Sequence, residues 1–96
     1  MEKEYVSKEQ IADIFERERI WQSIRLRVFV CEPRDKKHIP VRPTSQPRGG
    51  QQVFQKWQDQ EGRHIFTTHM VVDMDGWPVH WDEKDIVVGE TKYIRP

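Results

Sequence analysis

The sequence predicts an α+β fold: an N-terminal helix packed on a four- or five-stranded, mainly antiparallel sheet. Three observations predict it. A capping signature at Ser7–Gln10 opens a helical run, a two-residue alternation governs the chain from Val53 onward, and residues 32–50 form a Pro/Gly-rich basic loop between the two. The 96 residues suffice for one domain, 1–96. Only 35% of them are hydrophobic and the mean hydropathy is −0.88, so the four Trp, four Phe and two Tyr must supply much of the core.

Ser7-Lys8-Glu9-Gln10 places a hydroxyl N-cap three residues before a Gln that can bond back to it. Ile11, Ile14 and Phe15 follow at helical spacing, with Asp13, Glu16, Arg17 and Glu18 turned away, which predicts a helix from Lys8 to Ile20. The period then shortens. Ile24, Leu26, Val28 and Val30 alternate with Arg25, Arg27 and Phe29, which favours a strand over 23–30. A continuing helix competes, because Trp21, Ile24 and Val28 also stand at i, i+3 and i+7.

From Glu32 to Gly50 the chain is punctuated by Pro33, Pro40, Pro43, Pro47, Gly49 and Gly50. Arg34, Lys36, Lys37, Arg42 and Arg48 oppose only Glu32 and Asp35 there, a net +3. Prolines at that density predict a mobile, extended, polyproline-like connection. Beyond it, alternation marks strands over 53–58 and 63–72, separated by a turn at Glu61-Gly62. Asp75-Gly76 signals a tight hairpin, and Trp77–Trp81 an edge strand, since Pro78 cannot donate within a central ladder. Asp82–Asp85 reads as a polar turn and Ile86–Val88 as a final strand.

Composition excludes several functions. No apolar run approaches the roughly 20 residues of a membrane-spanning helix, and Met1–Glu4 does not open like a secretion signal. The expected location is therefore the cytoplasm. Cys31 has no disulfide partner in the chain. Charge cancels, with 16 basic and 16 acidic residues, although residues 1–50 carry 11 against 8 and residues 51–96 carry 5 against 8. Neither a polyanion coat nor a polyanion mimic has that balance.

Chemistry-bearing residues are sparse. His64 and His69, five apart on one strand, point to opposite faces unless a bulge intervenes. His80-Trp81-Asp82 has the H-x-D spacing of iron facial triads, but no later His supplies a third ligand. Cys31 beside Glu32 is better suited to a structural than to a nucleophilic role, and Asp73 and Asp75 are explained by turn preference. The chain is accordingly read as non-enzymatic, with no metal and no cofactor. Arg42–Val53, which contains Gly49-Gly50-Gln51, resembles the catalytic loop of peptidyl-tRNA-hydrolysing release factors. In that family a flexible loop delivers the Gln to the ribosomal peptidyl-transferase centre, where it helps to admit water. The resemblance covers residues 42–53, with Phe54 standing where the family soon has an Asn, and without the family's basic C-terminal tail.

The leading expectation is a small binding protein that docks on a larger protein and modulates it. By analogy, compact neutral domains of this sort are frequent among accessory or inhibitor proteins of phages and mobile elements. The expected contact residues are Trp77, Val79 and Trp81, alternating onto one face of an exposed edge strand, together with Arg34, Lys36, Lys37, Arg42 and Arg48. Weak nucleic-acid binding through the basic 34–48 loop is the alternative, and the hydrolase suggested by Gly-Gly-Gln ranks third.

Overall fold

The computed structural model describes all residues, Met1–Pro96. Six strands form one mixed sheet: β1 (Glu2–Tyr5), β2 (Lys36–Pro40), β3 (Gln51–Gln58), β4 (His64–Val72), β5 (Pro78–Val88) and β6 (Thr91–Ile94). Their spatial order is β1-β6-β5-β4-β3-β2, with only β1 and β6 parallel. Two helices, α1 (Lys8–Arg17) and α2 (Ile20–Arg25), are joined by Glu18 and Arg19. The α+β class is as expected, with more strands than the four or five predicted and one parallel pair.

The helix start follows the sequence. Gln10 N donates to Ser7 Oγ at 3.1 Å and Ser7 N to Gln10 Oε1 at 2.8 Å, which closes the capping box and contributes about 1 kcal/mol. Ile11, Ile14 and Phe15 are buried as the period requires. The helix does not reach Ile20 unbroken. Arg19 lies in the left-handed region at φ 54° and redirects the chain, so that Ile20 turns into the core at 3% exposure.

Residues 23–30 are not a strand. The helical spacing of Ile20 and Ile24 wins, because both pack on the core while Leu26 and Val28 stay exposed. Only Val30 makes an isolated bridge, to Gln58. The predicted long loop also shrinks. Pro33–Asp35 is a 3-10 turn, and Lys36–Pro40 pairs with β3 as the edge strand β2, leaving 41–50 as the connection. Two lysines and a proline suit an edge, where they discourage further pairing.

Asp82–Asp85 is strand rather than turn. The segments expected at 77–81 and 86–88 merge into the 11-residue β5, with Lys84 as the extra residue of a bulge opposite Thr67/Thr68. The β4–β5 turn forms where predicted. Asp73 Oδ1 accepts from Asp75 N and Trp77 N, both at 2.9 Å, and Gly76 supplies the positive φ of 86°.

The helices cover one face of the sheet. At its centre Phe66, fully buried, meets Phe15 edge-on at 5.5 Å, Phe29 edge-on at 5.2 Å and Trp57 in a stack at 5.6 Å. The polar atoms in this layer are paired: Trp57 Nε1 donates to Thr68 Oγ1 at 3.0 Å, and Thr68 Oγ1 to Gln55 Oε1 at 2.9 Å. The opposite face carries no α-helix; the 3-10 turn borders it through Asp35, and the 41–50 connection through Gln46 and Pro47.

Candidate functional site

Two surfaces gather the residues that chemistry singles out: the outer edge of β5 and the uncovered face of the sheet. β6 pairs with β5 only from Asp85 to Val88, and Arg95 N extends the contact to Lys84 O at 2.9 Å. From Pro78 to Glu83, β5 has β4 on one side and no strand on the other. Trp77, Val79 and Trp81 line that segment at 71%, 54% and 38% exposure.

They do not alternate onto one face as predicted. A bulge between Val71 and Val72 leaves Val79 unpaired, beside Val71, His80 and Pro47 on the uncovered side. Trp81 turns to the helix side and leans on Trp21, with ring centroids 5.7 Å apart. Trp77 stays in the turn, and its bond to Pro78 is trans, the one cis peptide being Gln46–Pro47.

The basic residues are dispersed. Arg34 sits in the 3-10 turn, while Arg42 and Arg48 lie exposed in the 41–50 connection. Lys36 and Lys37 are consecutive on β2 and therefore point to opposite sides of the sheet. The five do not make one patch.

The uncovered face holds a cluster that sequence reasoning did not assemble. The register sets His69 beside Asp82, with Phe54 across on β3. Asp82 Oδ2 takes His80 Nε2 at 2.7 Å and His69 Nδ1 at 3.4 Å, while its Oδ1 meets Arg95 Nη1 at 3.0 Å. The last is an ion contact rather than a well-aligned hydrogen bond. Burial pushes the Asp82 carboxyl up, but Arg95, His80 and His69 together pull it further down, to about 2 from 3.8. Burial lowers the His69 pKa, partly opposed by its bond to Asp82. His69 Nε2 faces Gln52 Oε1 at 3.2 Å, and its ring tilts against Phe54 at 4.6 Å.

Both imidazoles thus bond to one carboxylate oxygen instead of aiming at a shared point, and no group of three such side chains has metal-holding geometry. The H-x-D spacing of His80 and Asp82 was a usable signal, whereas the contributions of His69 and Arg95 depend on register.

A second pair lies nearby. Ile65 is the extra residue of the bulge at Trp57/Gln58, so His64 turns to the side of Thr67, 3.3 Å away, and bonds Asp85 at 3.1 Å. The two histidines therefore share a face, contrary to plain alternation. Burial raises the Asp85 pKa, but the bonds to His64 and Thr67 lower it more. Around this pair a depression of about 370 Å³ is bordered by Lys56, Lys92 and Asp35.

Other sequence candidates resolve structurally. Burial pushes the half-buried Cys31 thiol up, away from the thiolate a nucleophile needs. Gly49 has φ 73°, and a Cβ on Gly50 would lie 2.3 Å from the Val72 carbonyl oxygen. Gln51 is already strand, paired with Pro40 and Val72, and its Oε1 contacts His38 at 3.2 Å. No helix is long and apolar enough to cross a membrane. Neither a family model, nor a curated protein, nor a solved structure matches this chain.

Proposed function

We propose that the chain is a small non-enzymatic docking domain of the accessory or inhibitor kind. It binds a larger protein, accepts an extended strand of that partner along β5, and so modulates it. The observation that carries this reading is the unpaired outer edge of Pro78–Glu83, flanked by exposed Trp77 and Trp81. Unpaired strand backbone offers donors and acceptors in register for an incoming strand, and flanking side chains supply selectivity. Six residues span roughly 20 Å, the length of an ordinary strand. Trp81 is already braced by Trp21, so little ordering is needed when it becomes an anchor. The non-enzymatic part of the reading is supported by the raised Cys31 thiol and by Gln51 being tied into β3. The same proposal places the domain in the reducing cytoplasm, where a lone thiol persists.

The test is affinity capture with wild type, Trp77→Ala and Trp81→Ala, followed by hydrogen exchange on the captured complex. A specific partner should be retained by wild type, protect the amides of 78–83, and lose about 2 kcal/mol of affinity with Trp81→Ala. Trp77→Ala should weaken binding without changing the melting temperature, since that side chain is largely exposed. Equal retention by all three proteins, or protection elsewhere in the chain, would overturn the reading.

A further inference from the structure

We propose that the uncovered face of the sheet is a binding surface for single-stranded nucleic acid, separate from the β5 edge. Register puts four lysines on this face. Lys37 stands beside Phe54, Lys56 beside Thr67, and Lys92 beside both Val87 and Lys3. They run obliquely from β2 to β1, across five strand spacings, roughly 24 Å. No lysine of the chain forms an ion pair.

The carboxylates of the face are otherwise engaged. Asp82 is held by Arg95 and two imidazoles, Asp85 by His64 and Thr67, and Asp35 by the Gln58 amide at 3.1 Å and Glu32 N at 3.3 Å. Counting Arg95 with the four lysines, five fixed cations oppose three internally bonded carboxylates. The face thus carries a surplus of two positive charges, with Asp35 and Asp85 lying among Lys56 and Lys92.

Rings accompany the charge. Phe54 is half-buried against His69, and Tyr5, 67% exposed, stands beyond Ile94 at the other side of the sheet. Stacked bases use such rings whatever their sequence, while spaced lysines follow the phosphates. The line of lysines, roughly 24 Å across five strand spacings, is wider than the roughly 12 Å major groove, so an unpaired strand fits better than double-stranded DNA. An acidic polypeptide would satisfy the lysines but leave the rings without a partner.

This surface differs from the basic loop read from sequence, sharing with it only Lys37. That difference makes the proposal testable by fluorescence anisotropy with labelled oligothymidine and oligouridine across a salt series. Four phosphate contacts predict a slope of log K against log salt near −2.8, at about −0.7 per contact for single strands. The triple variant Lys37→Gln, Lys56→Gln, Lys92→Gln should flatten the slope to about −0.7 and weaken low-salt binding at least about tenfold. Phe54→Leu should weaken binding about tenfold without changing the slope. The pair Arg42→Gln with Arg48→Gln should leave both quantities as in wild type. Circular dichroism melts confirm that each variant is folded. The proposal is overturned by absence of binding at low salt, or by loss that follows Arg42 and Arg48 instead of the lysines. Competition by polyglutamate as effective as by oligonucleotide would likewise replace it with an acidic-polypeptide site.

Discussion

Asp82→Asn probes what holds the uncovered face together. The wild-type carboxylate is 4% exposed, with His80 and His69 on one oxygen and Arg95 on the other. Its pKa of about 2, against 3.8 unperturbed, corresponds to about 2 kcal/mol favouring the charged native form. Because the folded value is the lower one, the unfolded chain protonates first as pH falls. The contribution is therefore complete well above 3.8 and disappears as pH drops towards about 2. Asparagine preserves the shape and leaves Arg95 facing a neutral amide. In urea denaturation followed by Trp fluorescence, the variant should be less stable than wild type by about 2 kcal/mol at pH 7, with about half of that difference gone at pH 3.

His69 adds a second window in the same direction. Its pKa is lowered by burial, so stability falls as pH drops below 6.5, the ordinary value of an imidazole, through the depressed folded value. Equal midpoints for the two proteins at pH 7, or a gap that stays constant down to pH 3, would refute this account of the cluster.

Two further outcomes test the packing and the boundaries of the fold. Gly50→Ala should cost about 3 kcal/mol by thermal melting, because its Cβ would meet Val72 O at 2.3 Å and Pro47 Cγ at 2.9 Å. Gly76→Ala, with φ 86° and nothing within 4 Å, should cost only the left-handed penalty of about 1 kcal/mol; equal losses at the two sites would contradict the contact. Limited trypsin should cut first after Arg48, since Arg42 precedes Pro43 and Lys36 and Lys37 are paired in β2; earlier cleavage at either lysine, seen by mass spectrometry, would mean that β2 is not formed.

Local signals carried the parts of the fold that were legible. The Ser7–Gln10 box and the turns at Asp59–Arg63 and Asp73–Trp77 are closed by side chains within four residues of the backbone they bind. Non-local pairing decided the rest. Glu2–Tyr5 has no apolar alternation, and it becomes strand only because β6 lies parallel beside it. Lys36–Pro40 contains Ile39 as its only half-buried residue, so nothing in it announces an edge strand. Arg19 occupies a left-handed position normally signalled by Gly or Asn, which hid the break between α1 and α2. Exposure of Trp77 and Trp81 was readable, yet the bulge at Val79 was not, and one extra residue is enough to send neighbouring side chains to the wrong face.

The Gly-Gly-Gln run shows how a motif and a fold can make different demands on the same residues. A loop acting as in the release factors must carry its Gln free of the body of the protein. Here Gly49 answers a positive φ and Gly50 a close approach to Val72, so both glycines have a structural cause without any catalytic one. Gln51 would have to surrender pairing with Pro40 and Val72 and its contact with His38 before it could leave. Those pairings open both β2–β3 and β3–β4, so freeing Gln51 would fray two ladders at once. The neighbouring residues that project from the same strand, Phe54 and Lys56, need no such disruption to meet a ligand, because the face they occupy is already uncovered.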